Sequence, residues 1–275
     1  MGVASCSGPA SKPATRARTD TDALSAPYRP LVQGKISRAH VLLVSLVGLS
    51  LCALVMALAN TLTLALSGLA VLGLLTYTWF KRRWWGGPFW NAWIVAVLPV
   101  IGYLCGGASL WSALGDRALQ AAVLSVFFSY AVFVLLDYFK DISADRATGY
   151  RTLPVVAGWQ TSVAISSLFA LLATLSSLAL LDQLYSADAA LSATAWASGA
   201  MWLTGVYLLV FAHPSMIRLG SEVKAHHAIG LAVRGHVLMH FGLAATVRPG
   251  LLLPVAAAYA LFEVALARRP EAPQI

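Results

Sequence analysis

Eight apolar stretches, separated by short polar segments, fill most of the chain. Their apolar residues run continuously rather than alternating with polar ones, which predicts helices rather than strands. A helix needs about 20 apolar residues to cross a bilayer, and six of the stretches fit that length well. All eight stretches together cover residues 41–59, 61–80, 88–110, 118–139, 161–181, 189–213, 228–247 and 251–267. The pattern predicts an all-α, polytopic transmembrane helical bundle.

Two stretches are weaker, so we expect seven or eight spans. Residues 228–247 contain Arg234, His236 and His240, and residues 251–267 are short and contain Glu263. Whether 228–247 crosses the membrane is left open. If it does not, seven spans remain and the C-terminus lies outside. Glu263 is a hypothetical partner of Arg234 or Arg268. The i, i+4 histidines have a metal-compatible spacing, but they lack an acidic neighbour, so we interpret them as packing or interfacial residues.

Both ends of the chain differ from the apolar part. Residues 1–26 are rich in Ala, Ser, Thr and Pro and show no apolar periodicity, and they lack the apolar segment of a secretory leader. We predict a disordered cytosolic tail over 1–26, one transmembrane domain over 27–270, and a short C-terminal tail over 271–275.

Composition supports the membrane interpretation. Hydrophobic residues make up 59% of the chain and charged residues only 11%, whereas soluble domains carry about 25% charged residues. Too few charges are present to cover a soluble surface, which excludes soluble, disordered and coiled-coil classes. The three cysteines show no metal-binding spacing, and their odd number argues against a disulfide framework.

The basic residues predict the orientation. The net charge is 19 − 11 = +8. With eight crossings and a cytosolic N-terminus, all but three of the lysines and arginines lie inside, the exceptions being Arg117 and Arg248 outside and Arg234 within a span. This asymmetry follows the positive-inside rule. It predicts an integral protein of a bacterial cell membrane. The basic excess is attributed to topology and anionic ligands, and no nucleic-acid partner is expected.

The inside segment after the fourth span is the most informative. It reads DYFKDISADRATGYRTLPV. On a continuing helix Asp137, Asp141 and Asp145 share one face, where three carboxylates repel one another unless a divalent cation such as Mg²⁺ binds them. The alternative is a solvated acidic helix end. The neighbouring cations suited to phosphate are Lys140, Arg146 and Arg151.

A second inside segment contains YTWFKRRWWGGPFWNAW. Tyr77 and Lys81 are four residues apart, so they share a face at the end of the second span, and both can donate hydrogen bonds to a diphosphate. Residues 82–85 are interpreted as an interfacial belt of aromatic and basic side chains. Asn91 is either an interhelical hydrogen-bonding group or a ligand, and the sequence leaves both open.

A third inside segment precedes the first span. It contains Asp20 and Asp22, then Arg29 and Lys35. Its prolines predict a rigid, extended connector.

Together the three segments resemble the UbiA-type superfamily of intramembrane prenyltransferases, over roughly residues 22 to 270. The acidic segment is similar to the family's second aspartate-rich motif, and Tyr77 and Lys81 fit its YxxxK element. The connector is similar to the end of the first motif, NDxxDxxxD, and the segment after it. The matching residues are Asp22, Arg29, Pro30, Leu31, Gly34, Ile36, Ser37, Asp141, Asp145, Gly149, Thr152 and Leu153.

The resemblance implies a nine-helix bundle whose two aspartate motifs bind Mg²⁺ and an isoprenyl diphosphate. It implies transfer of the isoprenyl group to an acceptor, expected to be aromatic, as in quinone or meroterpenoid biosynthesis. The implied catalytic residues are Asp141, Asp145, Tyr77 and Lys81. The implied diphosphate ligands are Arg29, Lys35, Lys140, Arg146, Arg151 and Asn91. The implied metal ligands are Asp22, Asp137, Asp141 and Asp145.

Three other functions remain alternatives. A terpene cyclase would share the diphosphate site but would use no external acceptor. A truncated or inactive isoprenoid-binding membrane protein would bind without turnover. A transporter is disfavoured, because no inverted repeat or pair of broken helices stands out.

The chain departs from the family at its N-terminus. In register with Asp22, the first motif would place Asn and two aspartates where Ala14, Thr15 and Arg18 stand. No apolar span precedes it, so the chain resembles the family fold without its first two helices. The explanations are a gene start placed too late or a frameshift, a natural variant with one metal site or a partner chain, and an inactive remnant.

Overall fold

The computed structural model describes Leu24, Pro27, and residues 29–184 and 192–268. The predicted metal ligand Asp22, the predicted 271–275 tail, and the predicted 1–26 tail apart from Leu24 lie outside the described residues. The described residues form helices and no strands.

Eight helices are long and apolar enough to cross a membrane, which confirms a polytopic all-α fold and an integral membrane protein. They are α1 (Arg38–Ala59), α2 (Thr61–Arg83), α3 (Gly87–Cys105), α5 (Arg117–Asp137), α8 (Trp159–Leu184), α9 (Ala193–Leu219), α10 (Ala225–Val247) and α11 (Leu252–Ala267). The spans of α5 and α11 include the adjoining helical turns and cover Arg117–Ala147 and Pro249–Ala267. Short helices α4 (Leu110–Gly115), α6 (Ile142–Ala147) and α7 (Leu153–Ala157) lie between them, with 3₁₀ turns at Tyr138–Asp141 and Pro249–Leu251.

Polar side chains set several helix starts. Ser37 Oγ accepts from His40 N at 3.2 Å before α1. Asn60 ends α1 and begins α2, where its Oδ1 accepts from Leu62 N at 2.8 Å. Asp116 Oδ1 accepts from Leu119 N at 3.0 Å. That backbone donor is the main reason the pKa of the Asp116 carboxyl lies below its ordinary value. Each cap satisfies an N–H group that the first helical turn leaves unpaired.

Helix α5 forms the centre of the bundle, packing against α3, α8 and α10. It places Ala131, Val132, Leu135 and Leu136 in the core with almost no exposed surface. At the other extreme, α1 and α11 contain no buried residue among those described. The interior is therefore built around α5, and the acidic motif continues directly from its end.

Glycines allow α9 and α10 to pack backbone against backbone. A Cβ on Gly205 would lie 2.2 Å from Met239 N, one on Gly235 would lie 2.6 Å from Leu209 N, and one on Gly242 would lie 2.5 Å from Trp202 N. Small residues permit such close approach in membrane proteins. The weak stretch 228–247 is thus a spanning-length helix, half of whose apolar window is buried, so its polar residues face protein.

Arg234 pairs with Glu263, which confirms one of the two partners hypothesised for that carboxylate. Arg234 Nε donates to Glu263 Oε1 at 2.8 Å and Arg234 Nη2 to Oε2 at 2.9 Å. Tyr259 Oη also donates to Glu263 Oε1, at 2.7 Å. The bonds from Arg234 join α10 to α11, whereas the Tyr259 bond lies within α11 and orients the Glu263 carboxylate.

Replacing Gly235 by alanine should destabilise the bundle by about 1–3 kcal/mol, because the added methyl group overlaps the α9 backbone. Gly48→Ala is the matched control, since nothing lies within 4 Å of a Cβ on that glycine of α1. Thermal unfolding in detergent should show a lower midpoint for Gly235→Ala alone. Equal midpoints for the two variants would contradict the close helix contact.

Replacing Arg234 and Glu263 should have strongly non-additive effects on the unfolding midpoint. Arg234→Met and Glu263→Met should each lower the unfolding midpoint, because each leaves an unpaired charge within a spanning helix. The double variant removes both charges and should be more stable than either single variant. The same thermal assay checks this, and additive losses would argue that the two side chains do not interact.

Candidate functional site

The acidic segment does not continue as one α-helix. Helix α5 ends at Asp137, a 3₁₀ turn follows, and α6 begins at Ile142. The three aspartates therefore do not lie on one continuous α-helix, because a 3₁₀ turn, with three residues per turn, intervenes. Asp137 instead forms an ion pair with Lys140. We call residues 137–145 the acidic turn.

Asp145 is the most unusual residue of the acidic turn. Its side chain has no exposed surface. Oδ2 accepts from Thr152 Oγ1 at 3.2 Å, whereas the buried Oδ1 accepts no hydrogen bond. The cation paired with Oδ1 is Lys81, whose Nζ lies 3.6 Å away. A buried carboxylate oxygen without a donor is costly, which makes it a candidate ligand for a cation.

The end of α2 supplies the opposite wall of the site. Tyr77 Oη and Tyr138 Oη share a hydrogen bond of 2.8 Å. Lys81 Nζ lies 4.7 Å from the centre of the Tyr138 ring and 5.4 Å from that of Tyr150. The predicted pair Tyr77 and Lys81 is thus brought to the acidic turn. Sequence reasoning missed the roles of Tyr138 and Tyr150, although both are aromatic residues within the quoted motif.

A tight loop directs Thr152 to Asp145. Thr148 Oγ1 donates to Ala144 O at 2.7 Å, which closes the end of α6. Gly149 has a φ of +76°, a conformation that favours glycine. The chain then turns back, and Tyr150 N donates to Asp145 O at 2.8 Å. The glycine therefore shapes the loop that partners the buried carboxylate.

Two contacts tie the acidic turn to distant parts of the chain. Arg151 N donates to Arg82 O at 3.2 Å, next to the end of α2. Ser143 donates through its backbone N to Glu222 Oε2 at 3.0 Å and through Oγ to Glu222 Oε1 at 2.7 Å. Glu222 belongs to the turn between α9 and α10, and it satisfies a first-turn N–H of α6. The sequence gives no local signal for this contact.

The other predicted site residues are partly buried or exposed. Asp141 is partly buried, and the charges of Lys140, Lys81 and Arg29 attract its carboxylate. Asn91 lies in the first turns of α3 and is partly buried. The exposed predicted phosphate ligands are Arg29, Lys35, Arg146 and Arg151.

The carboxylates suit a hard divalent cation only in part. Asp141 and Asp145 offer oxygen ligands of the kind that Mg²⁺ prefers, and Asp145 Oδ1 lacks a donor. Within residues 29–184 and 192–268, however, no three His, Cys, Asp or Glu side chains come together as a metal-binding group. Two protein carboxylates with waters and phosphate oxygens completing the shell are a common arrangement for Mg²⁺.

Known proteins similar to this chain are digeranylgeranylglyceryl phosphate synthases. The protein from Halobacterium salinarum is 32% identical over 158 residues, covering 58% of this chain and 55% of the relative. That from Natronomonas pharaonis is 30% identical over 160 residues, covering 58% and 55%. The Methanothermobacter thermautotrophicus protein is 27% identical over 165 residues, covering 58% and 54%. The chain thus spans about half the length of these relatives.

No solved structure matches the chain at a significant level. The UbiA prenyltransferase family, in contrast, matches residues 18–228. This range contains the acidic turn, the end of α2 with Tyr77 and Lys81, and the loop to Thr152. The chain therefore belongs to the UbiA prenyltransferase family.

Proposed function

We propose that the acidic turn and the end of α2 bind the diphosphate of an isoprenyl diphosphate, and that the protein transfers the isoprenyl group to an acceptor. The observation that carries this proposal is the buried Asp145 carboxylate, with one oxygen free of donors and Lys81 beside it. A carboxylate and an ammonium group at the end of an apolar bundle suit a metal–diphosphate head whose hydrocarbon tail enters the bundle.

Different residues of the site would stabilise charge, position Lys81 and exclude water. Lys81 donates to diphosphate oxygens and offsets the charge that grows there as the carbon–oxygen bond breaks. The Tyr77–Tyr138 hydroxyl pair keeps the wall beside Lys81 in place. The apolar interior holds the isoprenyl tail and excludes water, which would otherwise react with the allylic cation.

Asp141 and Asp145 are the residues we propose to hold Mg²⁺, with Asp22 and Asp137 as further predicted ligands. When bound, the metal would neutralise negative charge on the departing diphosphate. Lys140 is held on Asp137, so its charge is directed to the acidic turn rather than to solvent. Arg29, Lys35, Arg146, Arg151 and Asn91 remain predicted diphosphate ligands.

The acceptor is proposed from the names of the relatives. The relatives are named for a glyceryl phosphate that carries two geranylgeranyl groups, which favours a hydroxyl of a glyceryl phosphate lipid as the acceptor here. The aromatic acceptor expected from sequence remains a prediction. A terpene cyclase on the same scaffold would use the donor site without any acceptor, so product analysis separates it from a transferase.

We place the acidic turn on the cytosolic side. The segment between α2 and α3 and the acidic turn lie at the same end of the bundle, joined by the Arg151–Arg82 hydrogen bond, and both are rich in basic residues, as the positive-inside rule requires. The relatives are archaeal proteins. They give no support for a bacterial cell membrane, which remains a prediction from the sequence.

Replacing Asp145 by asparagine should reduce isoprenyl transfer at least about 100-fold, because it removes the buried negative charge that faces Lys81. The measurement uses the full chain in nanodiscs with Mg²⁺, geranylgeranyl diphosphate, and a glyceryl phosphate lipid or an aromatic acceptor. Binding of an unreactive isoprenyl thiodiphosphate should weaken in parallel.

Asp182→Asn is the matched control, because Asp182 is exposed at the far end of α8 and should leave transfer unchanged. Chelation of Mg²⁺ should stop transfer by the unchanged protein, and added Mg²⁺ should restore it. The proposed function would be refuted if Asp145→Asn still transferred the isoprenyl group. It would also be refuted if the unchanged protein transferred that group to none of the acceptors.

A further inference from the structure

A second polar cluster lies inside the bundle, between α10 and α5. It consists of His236 and His240 on α10 and Ser125 and Ser129 on α5, and we call it the histidine cluster. The imidazole rings lie 4.6 Å apart. His236 Nδ1 lies 3.0 Å from Ser129 Oγ, and His240 Nε2 lies 3.4 Å from Ser125 Oγ.

The hydrogen bonds assign the protons of His236. Ser129 Oγ has one proton, and we assign it to the bond with Ser125 O, the nearest of its acceptors at 2.6 Å. Towards His236 Nδ1 the same oxygen can only accept, so Nδ1 carries the ring proton. In an apolar interior the neutral ring is favoured, and its Nε2 is then a bare acceptor. No described residue donates to His236 Nε2, and the side chain is only partly buried.

His240 provides an internal comparison. Its Nδ1 donates to His236 O at 2.8 Å, because a carbonyl oxygen can only accept. Its Nε2 is therefore the acceptor for Ser125 Oγ. Both nitrogens of His240 have partners within the protein, whereas His236 retains one unused acceptor. An acceptor inside an apolar bundle is expected to be satisfied by some donor.

The position of His236 relates it to the acidic turn. Ser129 lies eight residues before Asp137 on α5, which corresponds to about 12 Å along the helix. The Tyr130 ring packs edge-on against His236, with centroids 5.8 Å apart. Tyr130 and Asp137 are seven residues apart and share a face of α5. His236 thus lies about two turns below the acidic turn, on the side that leads to it.

We propose that His236 Nε2 binds a hydroxyl group of the prenyl acceptor. This inference rests on the proposed function, in which the acidic turn binds the diphosphate and the isoprenyl group passes to an acceptor. An isoprenyl tail has no hydrogen-bond donor, and an ionised diphosphate only accepts, so neither can satisfy Nε2. The acceptor hydroxyl can. The isoprenyl carbon that bears the diphosphate then lies between the acidic turn and the hydroxyl bound by His236.

The test compares acceptor and donor kinetics in the full chain in nanodiscs. The probes are geranylgeranyl diphosphate and a glyceryl phosphate lipid with one geranylgeranyl ether and a free hydroxyl. In His236→Phe the KM for the lipid should rise roughly three- to tenfold, the value of one hydrogen bond, while the KM for the diphosphate stays unchanged. His236→Gln, whose amide oxygen can accept, should recover part of the loss.

His227→Phe is the matched control, because His227 is exposed near the start of the same helix. Direct binding supplies an independent reading. The unchanged protein should prefer the hydroxyl lipid over its O-methyl ether, and His236→Phe should bind both equally. Retained binding of both lipids also shows that His236→Phe remains folded, since an unfolded protein would bind neither.

The outcomes distinguish the two proposals. If the unchanged protein transfers isoprenyl groups but the preference for the hydroxyl survives His236→Phe, the assignment of His236 is overturned and the proposed function stands. If no transfer occurs while the preference depends on His236, the proposed function fails and the hydroxyl subsite is supported. A change in the KM for the diphosphate equal to that for the lipid would also overturn the assignment.

Discussion

The buried carboxylate of Asp145 is the constraint around which the site is organised. A charge without exposed surface at the end of an apolar bundle is strongly unfavourable unless it is paired. Thr152 satisfies one oxygen, and Lys81 stands 3.6 Å from the other. This pairing is incomplete, since Oδ1 accepts no hydrogen bond. The fold tolerates an energetic cost at this position, which is typical of residues that act on a ligand.

Several parts of the fold converge on that carboxylate. Helix α2 presents Lys81, the Gly149 turn brings Thr152 back, and Glu222 holds the start of α6 through Ser143. These contacts join segments that are far apart in sequence. The site therefore depends on α2 and on the turn between α9 and α10, even though most of its chemical groups belong to one short motif.

The interior of the bundle is more polar than its lipid-facing helices. Helix α10 carries Arg234, His236 and His240, yet it is the most buried of the spanning helices. Its glycines allow close contact with α9, and its polar groups find partners on α5 and α11. An apolar helix such as α1 can face lipid, whereas a helix with these residues is stable only inside the protein.

The spanning helices and part of the candidate site could be predicted from the sequence, whereas the 3₁₀ turn and the tertiary contacts of the site could not. The helices follow from apolar stretches whose length matches a bilayer, and Tyr77 and Lys81 follow from their i, i+4 spacing. The 3₁₀ turn after Asp137 was not predicted, because its residues suit an α-helix equally well. The contact between Glu222 and Ser143 and the role of Tyr138 depend on tertiary packing, which leaves no local pattern.

We propose that a diphosphate binds between Lys81 and the acidic turn. The most direct measurement is an experimental structure of the full chain in nanodiscs with Mg²⁺ and an unreactive isoprenyl thiodiphosphate. We expect the diphosphate within hydrogen-bonding distance of Lys81 Nζ, with Mg²⁺ between it and the carboxylates of Asp141 and Asp145. A diphosphate bound elsewhere, for example at the exposed Arg83 and Trp84, would contradict it.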